Sequence, residues 1–142
     1  AAEMYKQIVS IYQSYDIIIM TAAVSDFKPM KTADNKIKKA DSLQLELTKT
    51  KDILLELGKK KLKEQKLIGF AAESENIEEN ASKKLHKKNL DMIVANNLKV
   101  AGSDTTEVAI ISNKSSSNFI GSKFEAAHVI LDKIKQLKKN VT

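Results

Sequence analysis

The chain is 142 residues long, 42% hydrophobic and 30% charged, which is sequence enough for one domain with a core of its own. Its net charge of +6 is carried by lysine without a single arginine, beside three tyrosines, four phenylalanines and no tryptophan; that is poor equipment for reading base edges or stacking bases, so no nucleic-acid partner is expected, and a lysine-rich polyanion- or RNA-binding module and a non-catalytic dimerisation fragment stand as the alternative readings. Absence of cysteine excludes a disulfide framework, a thiolate nucleophile and a thiolate metal site, and no apolar run approaches the roughly 20 residues of a membrane span, so a cytoplasmic protein without a membrane partner is expected.

Ala1-Ala2-Glu3-Met4 starts directly in helical sequence, as expected of a fragment or a processed chain. Residues 3–15 read as an amphipathic helix with Met4, Ile8, Ile11 and Tyr15 near one face. The run from Ile17 to Val24 is nearly continuous and apolar, the pattern of a strand covered on both faces, and it turns polar at Ser25-Asp26. Residues 27–35 read as irregular. Lys36 to Lys39 and Leu43 to Leu47 then read as the two strands of a hairpin, the second alternating strictly and so buried on one face. In such a strand Lys36 and Lys38 share one side, and Ile37 and Lys39 the other. An edge strand this rich in lysine is also a common guard against aggregation.

Thr48 or Thr50 is placed to cap a helix from about Lys51 to Glu64, with Ile53, Leu54, Leu57 and Leu62 inward and Gly58 as its weak point. Residues 67–72 form a short buried strand. Asn76 with Glu79 resembles a capping box for a helix from about Ile77 to Lys88 that buries Ile77, Ala81 and Leu85. Strands follow at 92–96, 107–112 and 118–121, and a last helix at 123–139 turns Phe124, Ala127, Ile130, Ile134 and Leu137 inward. This alternation predicts a three-layer α/β fold: a mostly parallel, Rossmann-like sheet, helices on both faces, and an antiparallel strand at one edge.

In open α/β sheets ligands bind beyond the carboxyl ends of the strands. Three such ends pass from small residues to polar ones: Ala22-Ala23-Val24-Ser25-Asp26, Phe70-Ala71-Ala72-Glu73 and Ala95-Asn96-Asn97. Asp26 could orient a ligand or cap a turn. Lys84 and Lys88, four apart on a helix, repel each other slightly unless an anion lies between them, and equally they suit a helix C-terminus. The helix entrance at Lys51-Asp52-Ile53-Leu54 offers backbone N–H groups to a phosphate. With four glycines in the chain there is no P-loop and no GxGxxG, and neither His86 nor His128 has metal-ligand spacing, so no protein-held metal site is expected.

Ala22-Ala23-Val24-Ser25-Asp26-Phe27-Lys28-Pro29, Lys36-Ile37-Lys38-Lys39, Gly69-Phe70-Ala71-Ala72-Glu73, Lys88 to Asn96, and Gly102-Ser103-Asp104 occur in that order. Together they resemble phosphopantothenoylcysteine synthetase, in many bacteria the C-terminal half of a bifunctional coenzyme A biosynthesis flavoprotein. The resemblance implies a ligase that activates the carboxylate of 4′-phosphopantothenate with CTP and Mg²⁺, forming an acyl-cytidylate and pyrophosphate. The amine of cysteine then attacks, giving 4′-phosphopantothenoylcysteine and CMP. It also implies a homodimer formed through a flap at about 36–47, and a flavin decarboxylase as companion, fused or separate.

Carried over by position, Met20, Thr21 and Ala22 would meet the cytosine through backbone groups, and Asp26 would help hold the nucleotide. Lys51, Asp52, Ile53 and Leu54 would lie at its helix N-terminus. Phe70 would flank the nucleotide, Lys84 and Lys88 would grip the triphosphate, and Lys36 would be the catalytic lysine on the flap. The resemblance makes residues 1–142 the C-terminal portion of a single synthetase domain, whose glycine-rich first loop lies outside this chain. Lys51 stands where that family usually has proline, and Thr106 where asparagine is frequent.

Overall fold

The computed structural model describes residues 1–39, 41–97 and 105–139. In chain order its elements are α1 (Ala2–Ile11) with a 3₁₀ turn at Tyr12–Ser14, β1 (Ile17–Met20), β2 (Phe27–Pro29), β3 (Leu47–Lys49), α2 (Ile53–Lys60), β4 (Lys66–Glu73), α3 (Ile77–Lys87), β5 (Met92–Asn97), β6 (Thr105–Ser112), β7 (Ser116–Ser122) and α4 (Lys123–Lys139). The Gly102-Ser103-Asp104 motif lies outside the described residues.

Five strands form one sheet in the order β1-β4-β5-β6-β7. β1 and β5 flank β4 in parallel, and β6 and β7 close the sheet as an antiparallel hairpin. Four strands therefore share one direction, and the reversed strand, β6, stands one in from the edge. Strand residues alternate between two cores. Leu67, Ala71, Ile93 and Ala95 face a cluster closed by Leu57 of α2 and by Ala81 and Leu85 of α3, with Met4 and Ile8 of α1 packed against it. Ile68, Met92, Val94, Val108 and Ile110 face Ala126, Ile130 and Ile134 of α4. Helices thus cover both faces of a mostly parallel sheet, as the alternation of elements predicts.

The amino ends of the strands are pinned by polar groups. Asp91 Oδ2 accepts the Leu67 N–H at 2.8 Å and the Lys61 ammonium at 2.6 Å. The buried Gln65 amide donates to the carbonyls of Tyr12 and Tyr15, tying the end of the first helix to the entrance of β4.

Several expectations are corrected. β1 stops at Met20, where residues 21–24 leave the sheet, and it is an edge strand that exposes Ile19 rather than one covered on both faces. The first helix ends at Ile11, so Ile11 and Tyr15 are exposed. No hairpin joins residues 36–39 to 43–47. The chain is irregular and exposed at 36–39 and 43–46, and the small sheet that forms pairs β2 with β3, which begins at Leu47. The Leu-Gln-Leu-Glu-Leu alternation has strand periodicity but no partner surface, so Leu43, Leu45 and Leu47 all stay exposed. α2 ends at Lys60 and leaves Leu62 exposed. In α3 the N-cap Asn76 is left-handed (φ 47°) and makes no side-chain cap, so there is no capping box. In α4 Ile130, Ile134 and Leu137 face inward as expected and are joined by Ala126 and Val129, while Phe124 and Ala127 are exposed.

Candidate functional site

Where β1 ends, the chain crosses the carboxyl end of β4 and is stitched to the segment that precedes α2. Thr50 donates its N–H to the Asp26 carbonyl at 2.9 Å and its hydroxyl to the Ser25 carbonyl at 2.5 Å. The β2–β3 pairing continues that seam. Thr50 is thus a stitch rather than a helix cap, and sequence reasoning missed this role because the bond spans 25 positions.

Asp52 is the N-cap of α2: the Leu55 N–H donates to its Oδ1 at 3.0 Å. The N–H groups of Ile53 and Leu54 have no acceptor among the described residues, and both residues border the cleft beside Asp52. Lys88, at the end of α3, reaches Asp52 Oδ2 at 2.9 Å. Burial raises the Asp52 pKa, but the Leu55 N–H and the Lys88 ammonium outweigh it and hold the carboxyl below its ordinary value.

This junction depends on Gly58. A Cβ there would stand 1.8 Å from the Lys88 carbonyl oxygen, and the Asn89 amide donates to the Gly58 carbonyl at 2.8 Å. Asn89 itself is left-handed (φ 50°), which ends α3 at the point where Lys88 must turn to Asp52. One turn earlier, the Lys84 ammonium donates to Glu73 Oε1 at 2.6 Å.

These elements enclose a cleft of about 380 Å³. Its wall takes in Met20, Ala22, Asp26, Lys51, Asp52, Ile53, Leu54, Phe70, Lys84 and Lys88 of the expected residues, together with Ala23, Val24, Ser25, Thr50, Ala71 and Ala72. Two expected residues are not in the wall. Thr21 lines the groove beside α4 and a pocket beside α1 instead, and Lys36 lies on the exposed irregular segment after β2. With no strand at 36–39, alternation no longer assigns the lysines there to sides. The Lys51 ammonium lies 4.5 Å from the centre of the Tyr5 ring, which draws it toward α1.

A larger groove of about 720 Å³ runs along the opposite face, between the sheet and α4. It shares the wall of alanines and Phe70 with the cleft, and it takes in Asn96 of the third small-to-polar strand end, so only two of those ends meet at the cleft. Apart from Lys123 the groove has no charged side chain, whereas the cleft gathers three lysines and two aspartates. A small apolar wall faced by convergent charges at the carboxyl ends of parallel strands is what an anionic ligand with a flat, neutral portion requires. Among the described residues no cluster of three or more His, Asp or Glu could hold a metal ion, and no helix is long and apolar enough to cross a membrane.

The fold and the cleft together define an open α/β domain with a lysine-bearing cleft at its strand ends. The chain belongs to the DNA/pantothenate metabolism flavoprotein C-terminal domain family, whose pattern matches residues 1–137. It is 47% identical, over 98% of its length, to 36% of the coenzyme A biosynthesis bifunctional protein CoaBC of Bacillus subtilis. To the protein of the same name from Borreliella burgdorferi it is 48% identical, over 81% of this chain and 30% of that one. The crystal structure of the C-terminal domain of a CoaBC protein superposes with a TM-score of 0.81 at 35% identity, covering 99% of this chain and 63% of that one. The chain therefore spans about a third of the length of the curated relatives it matches.

Proposed function

We propose that this chain acts in coenzyme A biosynthesis as the nucleotide-binding portion of a CTP-dependent ligase that joins 4′-phosphopantothenate to cysteine. The observation that carries the reading is the cleft itself. The residues expected to surround a nucleotide come from five separate parts of the sequence and, Thr21 and Lys36 excepted, line one cavity. Family membership supports the same reading.

A carboxylate is a poor electrophile until one of its oxygens can leave with a phosphate. In this proposal CTP supplies that leaving group, and the amine of cysteine displaces CMP. The chain's own part is to orient the reactants and balance charge. The backbone around Met20 and Ala22 borders the base, Phe70 flanks it, and Lys84, Lys88 and the N–H groups of Ile53 and Leu54 take the phosphates.

Mg²⁺ usually keeps several waters and binds through one or two carboxylates plus substrate phosphates. Asp26 fits that need: its carboxylate lines the cleft and has no partner among the described residues. Asp52 is already engaged by Lys88 and Leu55. The ion would supply charge neutralisation on the triphosphate.

Lys36 is the proposed catalytic lysine, carried on the segment between β2 and β3. That segment exposes Met30, Ile37, Leu43 and Leu45, with Phe27 and Leu47 at its base. This much apolar side chain in water favours burial against a second copy of the chain, so a homodimer through this arm belongs to the proposal. A flavin decarboxylase as partner rests on the bifunctional relatives alone. Calorimetric titration of the full-length protein with CTP and Mg²⁺ is the test: saturable binding is expected, and its absence would overturn the reading.

A further inference from the structure

We propose that Glu73 is a positioning residue for the triphosphate, acting through Lys84; this rests on the nucleotide reading of the cleft. Lys84 Nζ and Glu73 Oε1 are 2.6 Å apart, and the two side chains differ sharply in exposure, 45% for Lys84 against 12% for Glu73. Glu73 is the fixed member. It closes β4, where its backbone is held in register with Asn97 of β5. Lys84 is the adjustable member, an ammonium on a flexible stem that projects from α3.

An unpaired lysine gives up side-chain entropy when a phosphate captures it. Glu73 meets that cost in advance, because it already confines the ammonium. An ammonium has three N–H donors, so one bond to Glu73 leaves two for phosphate oxygens. The negative charge of Glu73 opposes an incoming anion, but Glu73 is not part of the cleft wall, whereas Lys84 is. The repulsion therefore acts from behind the ammonium, at longer range and partly cancelled by it, and pre-organisation outweighs it. Lys88 is held differently, by Asp52, which itself borders the cleft and also caps α2.

The test is a four-member cycle in the full-length protein: wild type, Glu73→Gln, Lys84→Met and the double variant, each titrated with CTP and Mg²⁺ and each melted. Lys84→Met is expected to weaken binding about tenfold and Glu73→Gln about fivefold. In the Lys84→Met background, Glu73→Gln is expected to cost nothing further, and its melting temperature is expected to match that of its parent. Unchanged or tighter binding by Glu73→Gln, in a protein whose Lys84→Met variant is weakened, overturns the positioning role. An equal loss in both backgrounds, as general damage would give, also overturns it. If Lys84→Met binds CTP as well as the wild type, the assignment of Lys84 to the triphosphate falls first and the role of Glu73 falls with it.

Discussion

Single residues carry two expectations. Lys36→Ala is expected to bind CTP as the wild type does while turnover is lost, because the lysine is not part of the cleft wall; Lys38→Ala is expected to be milder. Equal losses in the two variants would remove the special role of Lys36. Asp52 gives a pH dependence of known sign. Its folded pKa lies below the ordinary value of 3.8, so the stabilisation it provides is complete above that value and is lost as pH falls through the lower folded one. Asp52→Asn should therefore lower stability near neutrality and narrow the gap to the wild type at about pH 3, as urea denaturation at the two pH values would show. The Lys84–Lys88 spacing suited an anion site and a helix C-terminus equally, and neither acidic partner was legible. Glu73 and Asp52 meet those lysines only after a strand and a helix from elsewhere in the chain have packed around α3.

At the scale of elements, Gly58 is the contact that seats α2 against the end of α3. Helix propensity favours alanine there by roughly 1 kcal/mol. The Lys88 carbonyl leaves no room for it, and overpacking costs about 1–3 kcal/mol. Gly58→Ala should therefore lower the melting temperature and also weaken CTP binding, since the two helix ends that hold Asp52 and Lys88 must part. In the sequence this glycine looks like a flaw in a helix; its meaning lies in a neighbour 30 positions away. The arm between β2 and β3 tests the dimer. Leu45→Asp should shift the protein from dimer to monomer in light scattering without unfolding it, because Leu45 is exposed in the single chain. A monomeric wild type would refute the dimer. The arm also marks where pattern failed: alternating leucines specify a strand only where a surface exists to receive them, and one chain supplies none.

For the molecule as a whole, the architecture was legible where burial follows sequence alone. β4 and β5 are apolar on both faces and paired on both edges, and α3 and α4 have the expected span to within a few residues. Edges were less legible, because an apolar run such as Ile17 to Val24 does not say how many neighbours it will find. The amides of β4 and β5 should accordingly exchange most slowly with deuterium, β1 faster, and residues 31–39 and 41–45 fastest of all; equal protection of β1 and β5 would contradict the order of the sheet.

The paired lysines also bear on how fast a nucleotide is captured and how long it stays. Lys84 with Glu73 and Lys88 with Asp52 are nearly neutral as couples, so the long-range pull on an anion comes mainly from the excess charge of +6 on the whole chain. Rising ionic strength should then slow the encounter with an anionic ligand far more than it shortens residence. Site substitutions such as Glu73→Gln should do the reverse, leaving the encounter rate alone and hastening departure.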